Sequence, residues 1–383
     1  MSAEKPHSFD VAIVGAGPAG GSAALALAAA GYSVLILERD VLPRYKTCGG
    51  GVLSRAFRRL PENAGNVVER SFNSVALNFL GTGLGFIATR SQPMVYMTMR
   101  ADLDALIVRE AQRVGATLME SCTVRHVETL DQGVEIISDQ GRHRAQFVIA
   151  ADGVHSATAR AAGWRTSPAL APALEYEIEV PAADFARFGE MPRFDFNAID
   201  AGYGWVFPKR RHLSVGVLCT QRVCADLPDK LQGYLHQIGI TQIDQCERHG
   251  YLIPLAPRPG PLARGRVLLA GDAAGLVDPV TAEGISHAIV SGQIAAAALT
   301  EGRMDPAKVA PLYTRLLEKH ILGELRAARY LARILYRHPR VRNGAFRLNG
   351  QRLCDFAVKV IMGEATYGHA LKRPANYFKL LGW

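Results

Sequence analysis

The stretch FDVAIVGAGPAGGSAALALAAAGYSVLILE, residues 9–38, decides the fold. It opens on a short apolar run, residues 9–14, that fits a buried strand. Gly15, Gly17 and Gly20 follow as Gly-x-Gly-x-x-Gly, and each has a separate task. Gly15 permits a tight turn, Gly17 lets the backbone approach a pyrophosphate, and Gly20 lets a helix pack closely on the strand. The alanine-rich residues 22–30 continue as a helix, and Gly31 supplies its C-terminal stop. Residues 33–38 form a second buried strand ending in Glu38. Strand, glycine turn, helix and strand make a βαβ unit whose helix N-terminus offers N–H groups to phosphates. Glu38 can accept both hydroxyls of a ribose, and a carboxylate there disfavours a 2′-phosphate. The choice narrows to FAD or NAD, with Ala19 and Arg39 among the predicted contacts.

RGRVLLAGDAAGLVDPVTAEGI, residues 264–285, separates the two. A strand ending at Gly271 and Asp272 places a carboxylate near a ribityl and pyrophosphate chain. Gly284 and Ile285 open a helix whose N–H groups and dipole suit an anionic reduced flavin. A second element so far along the chain matches the layout of FAD proteins rather than nicotinamide dehydrogenases. Asp152, in Ala-Asp-Gly with Ser156 and Arg160 after it, fits a further strand-end turn. Arg100, followed by Asp104 and Leu106, and Val124 complete the expected FAD contacts. Gly81, Gly83 and Gly85 have the wrong spacing for a second fingerprint and read as a loop. NAD(P)H must therefore visit transiently, or a reduced carrier protein must supply the electrons.

The texture changes after about residue 166. In ALEYEIEV, residues 173–180, Glu175, Glu177 and Glu179 share one face and Tyr176, Ile178 and Val180 the other. Such alternation predicts a half-exposed antiparallel sheet. The expected fold is α/β, a Rossmann-like FAD-binding domain with an inserted antiparallel β-sheet substrate domain and a helical C-terminal region. The FAD domain takes residues 1–75, 96–165 and 264–305, the β-rich domain 76–95 and 166–263, and the helical region 306–383.

At 383 residues, 49% hydrophobic and 21% charged, the chain can bury two or three modules. It has no apolar run long enough to span a bilayer. Residues 1–10 lack the pattern of a secretory signal, which predicts a cytoplasmic protein. Six scattered cysteines show no metal-ligand spacing and read as free thiols, so no metal is expected. The net charge of +9 sits wholly in residues 321–383, which hold 12 Lys or Arg against 3 Asp or Glu. That concentration argues for a local anionic partner and against nucleic acid. Within it, Arg326, Arg329, Arg333 and Arg337 oppose Ile321, Leu325, Ala328, Leu331 and Leu335 on an amphipathic helix. Such a helix either docks on the body with a solvated basic face or rests on the inner face of a membrane.

Two further segments carry a family resemblance. PRYKTCGGG, residues 43–51, resembles the Pro-x-x-x-x-Cys-Gly-Gly segment of the geranylgeranyl reductase family. GYGWVFPK, residues 202–209, resembles that family's Tyr-x-Trp-x-Phe-Pro-Lys segment. The resemblance places Cys48 near flavin and prenyl chain, as cofactor contact and candidate catalytic residue, with Gly49, Gly50 and Gly51 against the flavin ring. A free cysteine otherwise reads as a small buried hydrophobe, and Lys46 as a surface or cofactor-contact cation. Tyr203, Trp205 and Phe207 alternate along one strand face. Phe207 is assigned to core, while Tyr203 and Trp205 serve either as core or as the wall of an apolar substrate tunnel.

The resemblance implies an FAD-dependent reductase of isoprenoid, geranylgeranyl-type carbon–carbon double bonds, with hydride passing from flavin N5 to one alkene carbon and an acid protonating the other. A flavin monooxygenase or halogenase on an apolar substrate shares the cofactor fold. Halogenase relatives, however, carry Trp-x-Trp-x-Ile-Pro where this chain has Tyr203-Gly-Trp205-Val-Phe207-Pro208. An FAD electron carrier to membrane quinone is the third reading, and it would run without any iron–sulfur cysteine cluster.

Overall fold

The computed structural model describes residues 8–222 and 224–368. Its first layer is a sheet ordered Ala263–Arg264, Val267–Leu269, Gly141–Ala150, Ser8–Val14, Val34–Leu37 and Thr117–Met119. The last five of these strands pair in parallel. Helices cover both faces, so Val34–Leu37 is buried at every position and shows no alternation. The strand Gly141–Ala150 is long enough to serve twice. Its first half extends an antiparallel meander with Gly133–Ser138 and Val124–Leu130, and its second half joins the parallel core.

The fingerprint helix Pro18–Ala29 is wedged between Arg100–Arg113 and Ile285–Glu301. Gly292 makes the second crossing possible, because a Cβ there would stand 2.2 Å from the Ala19 carbonyl oxygen. The helix Ile285–Glu301 is thereby fixed against the fingerprint helix.

The second layer is a seven-stranded sheet ordered Gln245–Pro254, Leu170–Glu179, Leu213–Cys219, Gly202–Pro208, Arg193–Phe196, Ser74–Phe79 and Leu84–Thr89. It is antiparallel except where Arg193–Phe196 meets Ser74–Phe79. One face packs Tyr176, Ile178, Val206, Val215 and Val217 against Leu231, Tyr234 and Leu235 of the helix Leu227–Gln237. The expectation of a half-exposed sheet fails on the other face. Glu175 and Glu177 are buried, at 2% and 8% exposure, and only Glu179 reaches solvent. Alternation marks two faces correctly, but here the acidic one is covered by the cavity and its loops. A small sheet of Gly51–Leu53, Val95–Thr98 and Val68–Phe72 links the layers.

Between residues 306 and 362 the chain is helical, as Pro306–Leu317, a wide π turn at Glu318–Leu322, Gly323–Arg337 and Pro339–Met362. The helix Gly323–Arg337 docks on the body through Leu325, Ala328, Ala332 and Tyr336, while Leu331 and Leu335 are half-buried. Arg326, Arg329, Arg333 and Arg337 face outward, with Tyr330 (65% exposed) and Ile334 (46%) among them. Lys372, Arg373 and Lys379 of the basic tail lie outside the described residues. Among the described residues no helix is long and apolar enough to cross a membrane.

Candidate active site

A cavity of about 520 Å³ runs between the parallel sheet and the seven-stranded sheet. Every predicted cofactor and substrate contact lines it except Gly20. Gly20 instead seats the fingerprint helix, since a Cβ there would stand 1.9 Å from the Gly15 carbonyl oxygen. Gly15 has φ +102°, and a Cβ would lie 2.5 Å from Ala151 O. Gly17 is open, its nearest neighbour being Arg100 Nη2 at 3.7 Å. No side chain caps the helix that begins there and no acidic residue stands in its first turn. Ala19 is buried beside it.

Glu38 ends its strand almost fully buried. Its Oε2 accepts the Ala16 N–H at 2.7 Å and its Oε1 the Asp40 N–H at 3.2 Å, with Arg44 Nη2 at 3.6 Å. Arg39 stands at the rim, largely exposed, and pairs with Asp40. Val124 forms wall at the start of its strand. Asp152 accepts from the Ser156 hydroxyl and from the Thr158 N–H at 3.1 Å, so it also ties the turn behind it. Arg100 grips Asp104 with Nε and Nη2 at 2.9 and 2.8 Å, and Arg44 reaches the same carboxylate at 2.8 Å. Asp272 is half-buried on the cavity wall, and desolvation raises its pKa above the usual carboxylate range. It accepts from the Tyr251 hydroxyl at 3.3 Å.

Lys46 is no surface cation. Its Nζ lies 3.2 Å from the centre of the Tyr251 ring, and burial beside Arg100 lowers its pKa to about 8. Cys48 is partly buried, and its sulfur accepts the Gly50 N–H at 3.4 Å. Gly50 has φ +65°, and a Cβ there would meet Thr98 O at 2.0 Å and Lys209 Nζ at 2.5 Å. Gly51 begins the next strand beside Met97 and Val95. Gly284 caps the helix Ile285–Glu301 with no side-chain bond of its own, and Glu283 takes the Ser286 N–H at 2.6 Å. A buried ribose-type carboxylate, an uncapped helix start and a side-chain-free approach fit the dinucleotide portion of FAD.

Tyr203, Trp205 and Phe207 all face the cavity. Phe207 packs against the core, as its assignment has it, and lines the cavity as well, its ring edge sitting where a Cβ on Gly49 would meet it at 2.6 Å. Phe194 joins them, its ring centre 5.2 Å from Phe207 and 5.7 Å from Tyr203. Val75, Met97 and Ile361 extend the apolar wall toward the C-terminal helices.

Residues 8–201 match the FAD binding domain family. A digeranylgeranylglycerophospholipid reductase of Methanopyrus kandleri is 33% identical over 316 residues, covering 75% of this chain and 79% of its own. The chain belongs to the geranylgeranyl reductase family of FAD-dependent oxidoreductases. A menaquinone reductase of Mycobacterium tuberculosis is 28% identical, with 94% of this chain and 92% of its own covered. The structure of a geranylgeranyl bacteriochlorophyll reductase-like protein from Thermoplasma acidophilum superposes with a TM-score of 0.75 at 21% identity. It covers 98% of this chain and 96% of its own. It shares the fold.

Besides Phe194 and the apolar wall residues, reasoning from sequence missed four polar members of this oxidoreductase's cavity region. Tyr251 and Glu175 line it, and Tyr45 hydrogen-bonds Glu175. Lys209, wholly buried, donates to Gly49 O at 2.7 Å and Thr98 O at 2.9 Å, clamping the Cys48–Gly50 turn. Lys209 and Tyr45 carried a signal, their places in GYGWVFPK and PRYKTCGGG.

Proposed function

We propose that this flavoenzyme saturates carbon–carbon double bonds of a geranylgeranyl-type lipid. The observation that supports it is the aromatic wall of Phe194, Tyr203, Trp205 and Phe207, which meets the Cys48–Gly51 turn at the inner end of the cavity. An isoprenoid offers only carbon surface, and aromatic side chains hold such a chain without asking for a polar handle. Gly15, Gly17 and Ala19 with the first helix would hold the pyrophosphate, Glu38 the adenosine ribose, and Asp272, Gly284 and Ile285 the flavin end. Reduced FAD, when bound, supplies a hydride. The protein's share is to press the chain against the Cys48–Gly51 turn, exclude water and place a proton donor. Transient NAD(P)H or a reduced carrier protein would deliver the electrons.

The test is single-turnover oxidation of anaerobically reduced protein by a digeranylgeranyl glycerolipid, followed by mass spectrometry. A product heavier by two hydrogens per bond is expected. Conversion of menaquinone to its quinol with the side chain unchanged would replace this reading with quinone reduction. Cys48→Ser is expected to keep its flavin yet slow single-turnover oxidation by about tenfold or more, because the turn presses on the reacting chain. Loss of stability with an unchanged rate per folded molecule would make Cys48 core filler.

The outward face of Gly323–Arg337 supports contact with an anionic bilayer, from which a lipid substrate must be drawn. Its four arginines interleave with Tyr330 and Ile334, and Val341 and Leu348 are exposed on the following helix. Each basic residue near such a surface contributes about 1 kcal/mol, fading within a Debye length. Sedimentation with phosphatidylglycerol vesicles is expected at low salt and lost as salt rises. It should fall sharply when Arg326, Arg329, Arg333 and Arg337 become Gln. Equal sedimentation of both proteins would leave the face simply solvated.

A further inference from the structure

The cavity-facing side of the seven-stranded sheet runs from aromatic to acidic. One row across five strands reads Phe194, Trp205, Gly216, Glu175 and His249, each in register with the next. Gly216 makes room in the row. A Cβ there would lie 2.2 Å from the Trp205 indole, which fills that space, and the next side chain is Glu175. Glu175 is 2% exposed yet lines the cavity.

Its surroundings hold it as an acid. The Tyr45 hydroxyl donates to Glu175 Oε1 at 3.2 Å. Glu177 stands two residues along the same strand, and His212 Nε2 is 3.0 Å from Glu177 Oε2. His249 lies across the strand pair, and Leu213–Cys219 contributes only Gly216 opposite. Lys209 is the nearby cation, but its Nζ is committed to Gly49 O and Thr98 O. Burial first, and then the charge of Glu177, push the Glu175 pKa up to about 8 against the pull of Lys209.

We propose that Glu175 delivers the proton in alkene reduction and is recharged from solvent through the Tyr45 hydroxyl. This rests on the reading of the cavity as a prenyl reductase site. The Glu175 O–H bond breaks as the alkene π pair forms a C–H bond with its proton. The other alkene carbon takes the hydride that reduced flavin supplies, and Glu175 is left as a carboxylate. Tyr45, 39% exposed and stacked on His249 at 4.0 Å, connects that carboxylate to the surface.

The acid works only while protonated, so its contribution is full below its pKa and declines above it. In the FAD-loaded protein, single-turnover oxidation by a digeranylgeranyl lipid is expected to be flat below about pH 8 and to fall roughly tenfold per unit above it. Glu175→Gln should lose about 100-fold or more and its pH break, while keeping its flavin absorbance and its reduction by dithionite. Tyr45→Phe should complete a first turnover at the normal rate and slow in the following ones. Independently of turnover, the infrared carbonyl band of a protonated carboxylic acid in the oxidised protein should titrate near pH 8 and be absent from Glu175→Gln. Wild-type turnover with an unchanged Glu175→Gln rate and pH profile, or no such band, overturns the assignment of Glu175 alone. A wild-type protein inert toward every prenyl lipid overturns the substrate reading and the proton's destination with it.

Discussion

Glu38→Ala is expected to purify as a colourless protein. The carboxylate stands between two duties. Its Oε2 holds the Ala16 N–H of the fingerprint turn at 2.7 Å, and its remaining acceptor capacity faces the cavity where a ribose would lie. Alanine removes both. Hydrogen bonds to a charged group are worth roughly 1.5–3 kcal/mol each, and about 1.4 kcal/mol is tenfold in affinity. Losing two ribose hydroxyl contacts should therefore weaken flavin binding by on the order of 100-fold or more, before counting a loosened turn. Glu38→Gln keeps an acceptor without the charge and should retain intermediate affinity. Absorbance near the flavin band and titration of the stripped protein with FAD measure both variants. A fully yellow Glu38→Ala protein would remove the ribose assignment.

The second large effect is expected at Lys209. Its ammonium joins two segments far apart in sequence, the Gly49 carbonyl and the Thr98 carbonyl, with no water-accessible surface. Lys209→Met preserves length and apolar bulk but takes the lysine donor from a buried carbonyl, Thr98, and a half-buried one, Gly49, and strips Glu175 of its nearby cation. Two charge-assisted bonds at roughly 1.5–3 kcal/mol each predict a loss of about 3–6 kcal/mol. The thermal midpoint should fall by roughly 4–7 °C. Lys209→Arg should not rescue it, because the Gly50 backbone leaves no room for a guanidinium beside Thr98 O. Calorimetry on the flavin-loaded proteins decides this, and an unchanged midpoint would mean that the turn holds itself.

These two residues also mark the reach of sequence patterns in this chain. Glu38 is legible because its meaning is local: a strand end at a fixed distance from three glycines can point only at the turn they form. Asp272 and Gly284 are legible for the same reason. The roles of Lys209 and Glu175 are not, even though Lys209 stands in a quoted segment, since what matters about them is long-range. Glu175 sits on a strand whose alternation is plain, but periodicity separates two faces without saying what covers either. A cavity can hide carboxylates as thoroughly as a core hides leucines, and the neighbours that cover these come from residues 43–51 and 202–212. Phe207 shows the same limit: its alternation with Tyr203 and Trp205 puts all three on one face, and on that face they are core and cavity wall at once. The basic helix is legible as amphipathic, and the structure adds that Tyr330 and Ile334 share the outward face with its arginines.

The loop at residues 275–284 is tied from an unexpected direction. Tyr336 donates to the Val280 carbonyl, the Tyr367 hydroxyl donates to Asp278 at 3.1 Å, and Arg55 bridges Glu283 and the Val360 carbonyl. The nascent chain therefore presents its fingerprint turn some 300 residues before the helices that fasten the opposite wall of the same cavity have been made. At about 5–20 residues per second of synthesis, that interval is on the order of 15–60 seconds. For its duration the ribosome carries half a binding site, whose apolar inner surface has no chain, ring or helix to cover it. Flavin capture by the finished cavity therefore belongs at the end of biosynthesis.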